Sequence, residues 1–136
     1  MVAVGAVIED EHGRVLLVKH RPEKESYWHG KWICPGGKLE LGESIQDGIR
    51  REVKEETSLE IRLTTPLIPF ERIVKSGGRT DLHVIYIDYL AEKAGGEFEP
   101  ASDVGEGRWV HRRDIPGIWG ELHEDTRRLF QIASIV

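Results

Sequence analysis

Apolar residues run from Val2 to Ile8, interrupted only by Gly5, and such a run predicts a mostly buried β-strand over residues 1–10. The turn residues of "DEHG", 10–13, separate it from a second apolar stretch, "RVLLVK", 14–19, so the two read as a hairpin. Residues 20–30, "HRPEKESYWHG", are polar, carry Pro22 and end in aromatics, which marks a surface loop leading into a short strand "KWIC" at 31–34. Behind Ser44, a residue type suited to an N-cap, Ile45, Ile49 and Val53 recur every four positions. That spacing predicts an amphipathic helix over 44–57, about three to four turns long. "LEIRLTT", 59–65, alternates as a strand, and "RTDLHVIYIDYLAE", 79–92, reads as a long one between turn signals at 76–78 and 93–96. An acidic loop, 97–107, precedes the short strand "RWVH", 108–111. Leu122, Leu129, Phe130 and Ala133 fall at helical intervals in a terminal helix over 120–136. Strands flanking two helices define an α/β domain with a mixed sheet covered on both faces.

Composition narrows the class. With 136 residues the chain is sized for one domain, 1–136. A 39% hydrophobic and 32% charged composition belongs to a soluble globular protein, and no apolar run reaches bilayer length, so no membrane partner is expected. The N-terminus has no basic segment of the signal-peptide kind, and the expected location is cytoplasmic. The lone Cys34 supplies neither a disulfide nor a cysteine metal framework, and the histidines show no zinc-ligand spacing. A net charge of −5 argues against nucleic acid as a partner, and it requires a bridging cation if the ligand carries phosphates.

The acidic charge has a pattern. Glu52, Glu55 and Glu56 stand three and four apart, which places them on one side of the predicted helix, where like charges repel unless a cation sits between them. A hard divalent metal suits carboxylate oxygens, and Gly36-Gly37, following Pro35, reads as a loop that can turn main-chain oxygens toward it. The three glutamates cannot all share the buried stripe, so they are expected at an edge, in a cleft or in water.

Gly37, then Glu43 after five residues, then "REVKEETSL" from Arg51 after seven more, resembles the signature of the Nudix hydrolases. Ser58 is the single departure, standing where that pattern has a glycine near the helix exit. The resemblance implies a Nudix-type α/β/α sandwich, a mixed β-sheet between helices, that hydrolyses a phosphoanhydride bond with magnesium or, in its place, manganese. It implies further that the Gly37 carbonyl, Glu52, Glu55 and Glu56 hold metal, while Glu43 and Arg51 fix the carboxylates. The group that takes the proton from water stays open among Glu52, Glu56, Glu106 and Asp103.

Substrate lies outside the signature. Neither the proline associated with ADP-ribose nor the tyrosine associated with dinucleoside polyphosphates occurs in "IVKSGG", and the short chain looks most like the MutT-like nucleoside triphosphate pyrophosphohydrolases. The expected ligand is a small nucleotide, with Trp28, Trp32, His83 and Tyr86 as candidates to grip it by stacking or hydrogen bonding. Three alternatives stand beside this: ADP-ribose, a nucleotide sugar, or a sensing module without activity, which would be expected to have lost the metal ligands this chain keeps. The residues leave the oligomeric state open, a homodimer included.

Overall fold

The computed structural model describes residues 1–135 as one seven-stranded mixed sheet with helices on both faces. The strands are β1 (Val2–Glu9), β2 (Arg14–His20), β3 (Gly36–Lys38), β4 (Glu60–Pro66), β5 (Phe70–Ser76), β6 (Arg79–Gly95) and β7 (Val104–His111). The helices are α1 (Ile45–Thr57) and α2 (Glu124–Ile132), with a 3₁₀ segment, Arg112–Glu121, before the latter. The order across the sheet is β4-β6-β1-β2-β7, with β3 added to β1 and β5 to β6. Among the named strands of the described residues, β1 with β6 is the parallel pair and the other ladders are antiparallel.

Alternation along the central strands feeds two cores. Val4, Ala6, Ile8, Leu16 and Val18 point to one face, where Ile49 and Val53 of α1 cover them. Val7, Val15 and Leu17 point to the other, against Ile115, Leu122, Leu129 and Phe130. The expected α/β/α layering is therefore present. No helix among the described residues is long and apolar enough to cross a membrane.

Three expectations differ from the structure. Gly36 and Gly37 form a strand rather than a loop, pairing with Gly5 and Val4 of β1. The "KWIC" segment makes only isolated bridges, Ile33 to Val18 and Trp32 to Leu122. The terminal helix begins at Glu124, not 120, because Pro116 and two glycines hold the preceding stretch in 3₁₀ geometry; its predicted last residue, Val136, lies outside the described residues.

Local signals set the ends of α1. Ser44 accepts the Asp47 N–H at 3.2 Å, and Ser58 closes the helix in left-handed geometry, φ 66°, its N–H donating to the Lys54 carbonyl at 3.0 Å. An L-residue there is strained, and the 3.3 Å bond from Ser58 Oγ to the Glu99 carbonyl is weak compensation. Ser58→Gly should raise stability by about 1 kcal/mol in chemical denaturation; an unchanged or lowered midpoint would show that the Glu99 contact outweighs the strain.

β1 is where the site opens. Its outer edge is shared, with β2 joining only at Glu9 opposite Val15 and β3 taking Ala3 to Gly5. Residues of β1, β3 and the end of β2 line the cleft where these strands part.

Candidate active site

The cleft has a volume of about 420 Å³, within the range of small-molecule sites. One end is acidic, with Glu52, Glu56 and Asp103; the other is aromatic and apolar, with Trp28, Phe70, Tyr86 and Leu129.

At the acidic end, Glu56 is buried, being seven positions after Ile49 and so on the apolar stripe of α1. Its Oε1 accepts the Gly36 N–H at 2.9 Å. Burial pushes its carboxyl up to about 8; the Gly36 N–H opposes this, while Glu52, Asp103 and Glu55 add to it. Glu52 is raised as well, first by desolvation, with Arg51 pulling the other way. The glycine pair is explained by close approach rather than by unusual dihedrals: neither has positive φ, but a Cβ on Gly36 would collide with the Val4 carbonyl, and one on Gly37 with the Glu52 carboxylate.

Arg51 organises the carboxylates. Its Nε donates to Glu43 Oε2 at 2.6 Å and Nη2 to Glu43 Oε1 at 3.0 Å, a two-point grip. Nη1 reaches Glu52 Oε1 at 2.9 Å and Glu55 Oε2 at 3.2 Å, and Nη2 also meets the Lys38 carbonyl at 3.1 Å. Hydrogen bonding from Arg51 holds the Glu43 carboxyl below its ordinary range, and the same bond raises the guanidinium. Among the described residues no three acidic, histidine or cysteine side chains already converge as metal ligands, since Glu52 and Glu55 lean on Arg51. The donor chemistry still fits a hard cation: oxygen ligands only, with two carboxyls, Glu52 and Glu56, raised above the ordinary carboxylate range chiefly by desolvation, which a cation would offset.

At the aromatic end, Trp28 Nε1 donates to Tyr86 Oη at 3.0 Å, and Tyr86 donates in turn to Asp125 at the start of α2. Arg72 Nε binds the other oxygen of Asp125 at 3.0 Å. Phe70 stacks on Tyr86 with 4.7 Å between centroids. Burial and Asp125 push the Tyr86 hydroxyl well above its ordinary value, so it stays protonated.

The structure thus brings together Gly37, Glu52, Glu56, Trp28 and Tyr86, with Glu43, Arg51 and Glu55 adjoining them through the guanidinium. Three expected residues lie elsewhere. Trp32 is 7% exposed and packs in the second core, with Lys19 Nζ 4.6 Å from its ring centre. His83 pairs with Ile73 of β5 and meets Glu71 at 2.8 Å on the outer part of the sheet. Glu106 on β7 meets Lys19 at 3.7 Å, outside the cleft, whereas Asp103 lines it. Asp88, Asp125 and Phe70 line the cleft without having been anticipated. Asp88 left a readable signal, a lone carboxylate within "VIYIDYLA".

Two buried acids make stability depend on pH. Burial raises Asp88 to about 7 and Glu56 to about 8, so the folded state keeps protons that the unfolded chain releases above about pH 4. Their contribution to stability is greatest below pH 4 and is lost as pH rises through 7 and 8, by up to about 1.4 kcal/mol per pH unit for each group. In chelator, the melting temperature should fall from pH 5 to 8, and Asp88→Asn should exceed wild type by a margin that grows over that interval. A margin constant with pH would mean that Asp88 ionises normally.

A mixed sheet between helices, with this arrangement of glycines, glutamates and arginine, defines an α/β sandwich built around an acidic cleft. The chain belongs to the Nudix family: the NUDIX domain matches residues 1–130. It is 31% identical over 116 residues to an ADP-ribose pyrophosphatase of Methanocaldococcus jannaschii, covering 85% of this chain and 64% of that protein's length. It is 25% identical over 130 residues to the nucleoside triphosphatase NudI of Escherichia coli, covering 91% of this chain and 90% of the relative. A MutT NUDIX hydrolase structure from Burkholderia pseudomallei superposes with a TM-score of 0.79 at 27% identity, over 96% of this chain and 95% of that one.

Proposed function

We propose that this chain hydrolyses a nucleoside triphosphate to a nucleoside monophosphate and pyrophosphate. The observation that carries the reading is one cleft with an aromatic end for a base and an acidic end for metal-bound phosphates. Magnesium, or manganese in its place, held by Glu52, Glu55, Glu56 and the Gly37 carbonyl, would neutralise the phosphates and acidify the attacking water. Gly37 leaves room for Glu52, Gly36 holds one oxygen of Glu56 through its N–H, and Arg51 with Glu43 keeps Glu52 and Glu55 in place. Glu52, Glu56 and Asp103 face the cleft as acceptors for the water proton; Glu106 does not. Trp28, fixed by Tyr86, offers its ring to the base.

A second reading, hydrolysis of ADP-ribose to AMP and a sugar phosphate, is favoured by the name of the archaeal relative. The test is a panel of nucleoside triphosphates, ADP-ribose and nucleotide sugars, in magnesium and in chelator, with products identified. Magnesium-dependent monophosphate and pyrophosphate from a triphosphate supports the first reading. ADP-ribose at a kcat/KM at least about tenfold above every triphosphate replaces it with the second, and no hydrolysis of any member overturns both.

A further inference from the structure

One acid in the cleft has no hydrogen-bond partner among the described residues. Asp88 lies opposite Gly5 in the parallel register of β1 and β6, on the same face of β6 as Tyr86, and is 7% exposed. No described residue gives its carboxyl a hydrogen bond, and desolvation alone acts on it. Its neighbours along the strand are apolar or aromatic. Among the described residues no buried side-chain oxygen is cut off from both partner and solvent, so the Asp88 carboxyl, held in the cleft wall without a hydrogen bond, opens to the cleft.

The surroundings define what it could bind. A Cβ on Gly5 would stand 2.7 Å from the Pro35 carbonyl oxygen and 2.8 Å from Asp88 Oδ1, so both oxygens border the space that the missing side chain leaves. Pro35 O accepts the Ala6 N–H at 3.2 Å and retains a second lone pair. Of the donors in the cleft wall, Trp28 Nε1 is committed to Tyr86 and Lys24 Nζ to Asp103 at 2.8 Å, while the buried Cys34 thiol, close enough to feel the Asp88 charge, is a weak donor that makes no hydrogen bond to it. This part of the cleft therefore presents acceptors facing a ligand, between the aromatic wall and the acidic end.

We propose that Asp88 and the Pro35 carbonyl receive an exocyclic amino group of the substrate's base and so select amino-bearing bases over their oxo counterparts. The proposal rests on the cleft being a nucleotide site. A base amino group brings two N–H donors and, because its nitrogen is conjugated with the ring, no free lone pair. Above about pH 8, where Asp88 is ionised, an oxo group at the same position turns lone pairs toward the two acceptors and leaves them unpaired. Sites built around such a pairing reject the mismatched analogue strongly.

The test, at about pH 8.5 so that Asp88 is ionised, uses pairs in which one amino group becomes oxo: CTP with UTP, ATP with ITP, and GTP with XTP. Wild type should favour the amino member of at least one pair by about tenfold or more in kcat/KM, the difference lying in KM. Asp88→Asn should bring that ratio within about threefold or reverse it, because a carboxamide N–H₂ donates to an oxo group. Asp88→Ala, checked for folding by thermal unfolding, should also collapse it. Titration calorimetry of the matching monophosphates in chelator should give the same order without catalysis. Wild-type ratios all within about threefold, or a preference unmoved in either folded variant, would overturn the proposal. Hydrolysis with unmoved ratios removes this inference alone. Amino-selective binding of monophosphates without hydrolysis of any nucleotide removes the proposed reaction and keeps the inference.

Discussion

Glu56→Gln and Glu55→Gln should each lower the magnesium-dependent rate by at least about a hundredfold while the fold stays intact. The two reach that result differently. Glu56 is buried, and glutamine can still accept the Gly36 N–H while losing the charge, so the variant should match or exceed wild type in thermal stability at pH 8. Glu55 has a half-exposed side chain tied to Arg51, and its loss should barely move the melting temperature. Steady-state kinetics across magnesium concentrations, beside thermal unfolding, separate charge from fold. Near wild-type turnover at saturating magnesium in both variants would remove these carboxylates from the metal site.

Arg51→Ala should cost kcat/KM at least about a hundredfold and cost stability less. The guanidinium holds Glu43, Glu52 and Glu55 at once, and without it the three repel and lose their common orientation. Added magnesium should restore part of the lost melting temperature, since a second cation relieves the same repulsion. Arg51→Lys should recover only a fraction of the rate, because a point charge cannot make the two-point contact with Glu43 and reach Glu52 from the same planar group. An alanine variant unfolded at room temperature, with magnesium giving no recovery, would make Arg51 a structural residue.

How far the sequence predicts this molecule depends on whether a feature is local. Ser44, Ile49 and Val53 carry α1 by themselves, and the alternation of β1 and β2 carries the two-faced sheet. β5 was missed because, as an edge strand, it buries only Phe70, and Pro66 and Pro69 before it look like loop. The glycine pair was recognised as special for the wrong reason: its role depends on Val4 and Glu52, contacts that only the folded chain provides. Trp32 and His83 show the same limit, since residue type says an aromatic can meet a base but not which side of the sheet it faces. Glu56, by contrast, was within reach, because the interval that puts Ile49 and Val53 on the apolar stripe puts Glu56 there too.

The parallel ladder between β1 and β6 also sets when the site can exist. The terminal amine and the His83 carbonyl that it meets are 82 residues apart, and Gly5 faces Asp88 only once that ladder has closed. Closing such a span costs chain entropy before any contact rewards it, so the pairing belongs to the slow part of folding. On the ribosome, β1 emerges before β6 and waits for it, with α1 able to form against it in the meantime. Until then the strand carries an apolar face and an open edge, a template for wrong pairing that later closes into the floor of the cleft.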